Sequence, residues 1–256
     1  MKKQYIFLIV LFIFFHIENT GGQNRRIVSC GTIKFEKKVS VKKKLIASQD
    51  KDEDNFWMED MIKRAPNYST EQFVMQFSPI ESYYYYNKEA SKESYRMWGD
   101  DDVASKNIVY KNMKTMESKS IKQFYENDFL LLDSVKQFQW KLTREFRDIA
   151  GFECRKAVTI FNDSLYVIAY YTDDITCNSG PESFGGLPGM VLGVVMPRLY
   201  TTWFATSVET ICDENTIINK PMNGKKSTES ALIEKISEKW GRYKKWYQSM
   251  VWNIVI

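Results

Sequence analysis

The sequence predicts a mainly β protein of the α+β kind: a curved antiparallel sheet or incomplete barrel, with a short helix in its N-terminal half and an amphipathic helix at its C-terminus. Three observations predict it. Apolar and polar residues alternate over many short stretches, short polar turns join those stretches, and helical spacing appears at only two places.

Taken in order, the first strand is marked by Ile33, Phe35, Val39 and Val41 alternating with polar residues. Lys34, Lys37, Lys38, Lys42, Lys43 and Lys44 crowd it, as expected of a solvated face, with an interaction role as the secondary reading. An acidic patch from Asp50 to Asp54 leads into Phe56, Trp57, Met61 and Ile62, a short helix ending before Pro66. From Thr70 the period is two. Phe73, Met75 and Phe77 alternate, and the run Tyr83 to Tyr86 suits a strand with aromatics on both faces.

Further strands are expected at 108–111, 119–125, 129–132 and 138–145. The clearest hairpin pairs 152–161 with 165–171 across Asn162, Asp163 and Ser164. Another strand is expected over 200–211. From Ser227 onward Leu232, Ile236, Trp240, Tyr243, Tyr247 and Met250 recur at helical spacing. Glu229 near the start and Lys244 and Lys245 near the end suit the helix dipole. This helix is expected to pack on the sheet, with peripheral membrane contact as the alternative its aromatics leave open. No linker or repeat divides the chain, so one domain over 23–256 is expected.

The first residues address compartment. Lys2 and Lys3 precede an apolar run from Tyr5 to Ile17, the length of a secretory signal and short of the roughly 20 residues a spanning helix needs. Cleavage is expected after Gly22, giving a periplasmic or secreted protein. Glu18, Asn19, Arg25 and Arg26 separate the run from Cys30, which argues against lipidation. Loss of Lys2, Lys3 and Glu18 moves the formal net charge from +4 to +3, too mild a balance for a nucleic-acid partner. The one histidine, His16, lies in that signal segment, so the mature chain can build neither a Ser-His-Asp triad nor an imidazole metal site. Cys30, Cys154, Cys177 and Cys212 are candidates for two disulfides in an oxidising compartment, with three connectivities open.

One stretch stands apart. From Gly180 to Leu192, glycines and prolines surround an apolar core, and Pro188-Gly189 is expected to form a type II turn before a buried strand over 190–195. The segment Gly186-Leu187-Pro188-Gly189-Met190-Val191 closely resembles the hallmark of the GLPGLI family of exported bacterial proteins. Trp140, the block Ile149 to Ala157, Tyr170 to Ile175 and Gly180-Pro181 stand in that family's order, over roughly residues 138–210. Tyr170, where the family often has tryptophan, and Cys177, near a usual proline, depart from its pattern. The resemblance implies export and a β-rich fold and carries no known activity.

No catalytic constellation, cofactor motif or metal set emerges. Asp173 and Asp174 are strand neighbours and point apart; Asp213 and Glu214 follow Cys212. The expectation is therefore a non-enzymatic carrier or interaction protein. Its sheet face, formed by Phe73, Met75, Tyr84 and Tyr86 with Trp240 on the covering helix, would meet an apolar ligand or an envelope protein. A docking factor using the lysine-rich strand and the loop of Gly180, Pro181, Gly186, Leu187, Pro188 and Gly189 is the alternative. An acid-based hydrolase or a calcium-binding protein ranks behind both.

Overall fold

The computed structural model describes residues 27–48, 56–91, 104–124, 127–161, 164–211, 218, 220–242 and 244–256, with the side chains of 244–246 excepted. The expected signal peptide therefore lies outside the described residues, as do Cys212, Asp213 and Glu214. No described helix is long and apolar enough to cross a membrane.

The strands are β1 (Gly31–Val39), β2 (Ser69–Phe77), β3 (Glu81–Tyr86), β4 (Ile108–Asn112), β5 (Glu117–Phe124), β6 (Asn127–Ser134), β7 (Lys141–Ile149), β8 (Phe152–Phe161), β9 (Leu165–Thr172), β10 (Met190–Met196), β11 (Thr201–Glu209) and β12 (Lys225–Ser227). They form one unclosed sheet in the order β12-β6-β5-β4-β3-β2-β1-β11-β10-β9-β8-β7. Each pairing between these strands is antiparallel except the parallel contact of β6 with β12. Among the described residues four α-helices accompany it, α1 (Val41–Ser48), α2 (Phe56–Arg64), α3 (Glu229–Trp240) and α4 (Lys244–Val255), with a 3-10 turn at Pro197–Leu199. The curved, mainly β architecture is the one the alternation predicts.

Period-two patterning gives the sheet an inner and an outer face. One inner row runs through Ile33, Met75, Tyr84, Val109, Ser120, Leu131 and Ser227 from strand to paired strand. Its central members are buried and join the loop after β9 and the end of α4 in the main core. Burying a large apolar side chain contributes roughly 1.5–3 kcal/mol. This shared core therefore holds loop and helix on the sheet. The β7–β8 hairpin turns through Ala150 and Gly151, both at positive φ (51° and 83°), the conformation of a type I′ turn.

Several local expectations change. Val41 belongs to α1, where Val41 and Leu45 bury one face four residues apart. β7 starts at Lys141 because Phe138 packs instead against Trp140 and Phe184, and Trp140 Nε1 donates to the Gly185 carbonyl at 2.9 Å. The tail is two helices with Gly241 following the first, and β12 was not foreseen. At Pro188 the Gly189 N–H donates to the Leu187 carbonyl at 2.7 Å, a three-residue γ-turn rather than the type II turn.

Candidate functional site

The segment after β9 dips onto the inner face and brings a carboxylate with it. Glu182 sits at φ +52°, an uncommon conformation for a non-glycine residue, and is fully buried. Lys111, inward-facing on β4, clamps this segment: its Nζ donates to the main-chain carbonyls of Gly180, Glu182 and Phe184 at 2.8, 2.9 and 2.6 Å. Three main-chain carbonyls of a buried segment are thereby satisfied by one ammonium.

Around the Glu182 carboxylate, Asn107 Nδ2 donates to Oε2 at 2.8 Å and Lys122 Nζ lies 3.6 Å from the same oxygen. Oε1, Lys122 Nζ, Tyr84 Oη and Trp203 Nε1 are buried and make no hydrogen bond of good geometry within the structure. Burial pushes the Glu182 carboxyl above its usual range, with Lys122 and Asn107 acting in the opposite direction. Burial likewise pushes Lys111 down to about 7, and lowers Lys122. The Tyr84 phenol is raised by burial and then by the charges of Glu182 and Glu71. Beside it, Lys37 and Glu71 pair at 2.9 Å from adjacent strands, and Ser105 Oγ donates to Glu71 at 3.0 Å. Lys37 is 1% exposed, which corrects its assignment to a solvated lysine face.

A cavity of about 30 Å³ adjoins the cluster, walled by Lys111, Lys122, Lys136 and Glu229 among others. That volume suits a single water with several polar partners. The cluster can hold a proton, order the loop and position the strands, but it has no room for a sugar as it stands. Among the described residues no group of three or more His, Cys, Asp or Glu is placed to hold a metal ion.

The residues singled out from the sequence fall in different places. Phe73 and Met75 are buried, Phe73 stacks on Tyr84 at 4.9 Å, and half-buried Tyr86 meets Phe73 edge-on at 5.6 Å. Trp240 lies apart, beside the smaller core of Phe129, Leu131, Leu232, Ile236 and Ile254. Within the loop Leu187 is buried, Gly189 takes φ +126° and Gly186 +76°. The two-disulfide expectation is corrected: Cys154 and Cys177 are buried free thiols, so no disulfide joins the described cysteines to one another. Glu182, Lys111, Lys122 and Asn107 were missed. The signal available was strand parity, which places Lys37 and Lys111 on the inward-facing positions of their strands.

An open antiparallel sheet, plugged by its own loop and helix over a sealed charged interior, defines a β-rich module whose inner face is occupied by its own chain. The family model described as N-glycanase peptide, N-terminal domain matches residues 99–232, just over half of the 256 residues, and the chain belongs to that family. A solved structure of PNGF-II is similar at 17% identity and a TM-score of 0.50, covering 88% of this chain and 33% of that one. A second crystal form of PNGF-II gives 18% identity and a TM-score of 0.48, with 78% and 32% covered. The chain thus spans about a third of the length of the solved structures it matches. No curated protein matches it.

The family match overturns the GLPGLI resemblance. A glycine-proline turn and its flanking blocks record the geometry of a tight loop, which recurs wherever a strand must begin against a close backbone. The family match also overturns the expectation of a non-enzymatic carrier or docking factor, since the matched family is described as the N-terminal domain of an N-glycanase. The absence of histidine from residues 23–256 excludes imidazole chemistry only.

Proposed function

We propose that this chain serves the hydrolytic release of N-linked glycans, as a glycan-directed module of the N-glycanase kind. The observation that carries the reading is the family match over 99–232, a span that contains Asn107, Lys111, Lys122 and Glu182. In this reading the buried cluster is the frame. The Lys111 clamp and the Glu182 carboxylate hold the loop against the sheet, so that surfaces around the rim are presented to a glycoprotein in one arrangement. Cleavage after Gly22 would deliver the module outside the cytoplasm, where glycoproteins are met.

The test offers the purified chain an N-glycosylated protein and the same protein stripped of its glycans. Preferential binding to the glycosylated form, or release of glycan read as a mass loss from the glycoprotein, is expected. Equal binding to both forms with no release overturns the reading.

A further inference from the structure

Asn107 and Lys122 stand side by side at neighbouring strands. β4 and β5 pair with Ile108 opposite Ile121, so one further step along the register places Asn107 opposite Lys122. Each lies two residues from a member of the inner row, Val109 or Ser120, and so faces inward. Directly opposed positions hold their Cβ atoms about 4.5–5.5 Å apart, a gap that a lysine stem spans. The two side chains meet at one atom: Glu182 Oε2 accepts from Asn107 Nδ2 at 2.8 Å and lies 3.6 Å from Lys122 Nζ. At 1%, 5% and 0% exposure, carboxamide, amine and carboxyl share a chamber closed to solvent.

These are the parts of an acyl transfer from a carboxamide to an amine. A lysine is a nucleophile only once it has shed its proton, and burial lowers the ionisation of Lys122. Burial raises that of Glu182, so both shifts run toward a neutral amine and a carboxylic acid. One carboxyl within reach of both nitrogens can take a proton from the first and give one to the second. Groups fixed as neighbours react as though at very high concentration, and here no bulk water competes.

We propose that Lys122 and Asn107 are joined by a self-formed amide bond between Nζ and Cγ, with Glu182 as the proton relay. The Lys122 amine adds to the Asn107 carboxamide carbon and the Cγ–Nδ2 bond breaks. The surplus proton on Nζ passes through the Glu182 carboxyl to Nδ2, which leaves as ammonia. One C–N bond forms and one breaks, so no oxidant, reductant or cofactor is consumed. Ammonia is the size of the water that the cavity of about 30 Å³ beside Lys122 admits. The product is a covalent rung across β4 and β5 beneath the loop that carries Glu182, and it is independent of what the module binds.

The test is a tryptic map of the purified chain by tandem mass spectrometry. Peptides 107–111 and 120–136 are expected as one branched species, uncut after Lys122 and lighter than their sum by one ammonia, about 17 Da. Intact mass alone does not decide, because Gln23 at a newly exposed N-terminus also sheds ammonia on cyclising. Glu182→Gln and Asn107→Ala, each confirmed as folded by circular dichroism, should release 107–111 unlinked and restore cleavage after Lys122. Unlinked peptides from the unaltered chain overturn the proposal without recourse to any variant. A branch from Lys122 to the peptide holding Glu182, with loss of water, overturns the choice of Asn107. A linked Glu182→Gln overturns the relay.

Discussion

Lys111 holds the backbone of Glu182, not its carboxylate: the Nζ donates at 2.9 Å to the Glu182 carbonyl, while Asn107 and Lys122 attend the side chain. The loop is therefore fastened at two levels, main chain to β4 and side chain to the β5 lysine.

Lys111→Met should release the main-chain level. Three carbonyls would lose their donor at about 1–3 kcal/mol each, so a loss of about 3 kcal/mol or more is expected. Chemical denaturation measures it, and a loss under about 1 kcal/mol would mean that water replaces the ammonium.

The same lysine predicts a pH dependence. Its folded-state ionisation lies at about 7 against 10.5 ordinarily, lowered first by burial, so between those values the unfolded chain holds the extra proton. Stability should then rise with pH across that window, by at most about 1.4 kcal/mol per pH unit for one proton. Lys122 is shifted in the same direction. Glu182, raised, works oppositely: the stability it contributes declines as pH climbs above 4.5 through its folded value. Denaturation midpoints from pH 6 to 10 should therefore climb in the native sequence and flatten in Lys111→Met, while a falling native profile would contradict the assignment.

Lys37 and Glu71, 1% and 3% exposed, form a pair sealed from water. Removing one partner as Lys37→Met leaves a buried carboxylate uncompensated, at a cost of about 3–5 kcal/mol. The double change Lys37→Met/Glu71→Leu should recover much of that loss, because two apolar side chains need no partner. Additive losses in the cycle would show that the two residues act independently.

These buried charges mark where the sequence was legible and where it was not. Alternation placed Phe73, Met75 and Tyr84 on strands, and the same parity points Lys37 inward between Phe35 and Val39. Lysine-rich composition argued the other way, since a run of like charges ordinarily faces solvent. Parity prevailed because Glu71, on a strand distant in sequence, stands opposite Lys37 in the β1–β2 register. Glu182 could not be read at all: it lies in a loop without a period, and its partners Asn107 and Lys122 reach it from β4 and β5 or their approaches. Likewise α1 and β12 are short elements whose packing partners, not their own patterns, decide them.

Cys154 and Cys177 should be silent in the native protein. Burial first, and nearby acidic charges for Cys154, push the thiols up to about 12 and 11, so little thiolate exists near neutrality. A disulfide-exchange reagent such as Ellman's should label neither until denaturant is added. Rapid native labelling of either would mean that the core opens at that site.

Gly189 and Gly186 separate two reasons for a glycine in one loop. Gly186 sits at φ +76° with nothing within 4 Å of where a Cβ would stand, so Gly186→Ala should cost only the left-handed conformation, about 1–2 kcal/mol. At Gly189, with φ +126°, an added Cβ would lie 2.1 Å from the Thr172 carbonyl oxygen and 2.8 Å from the Asp173 Cα. Neither atom is the mobile end of a side chain. The backbone at the end of β9 would have to move, and with it the Met190–Thr172 pairing that starts β10. Gly189→Ala should accordingly exceed the roughly 0.5–3 kcal/mol of ordinary single substitutions. Urea denaturation of the two variants side by side checks this, and equal losses would mean that conformation alone, rather than the close approach of two strands, requires glycine at this turn.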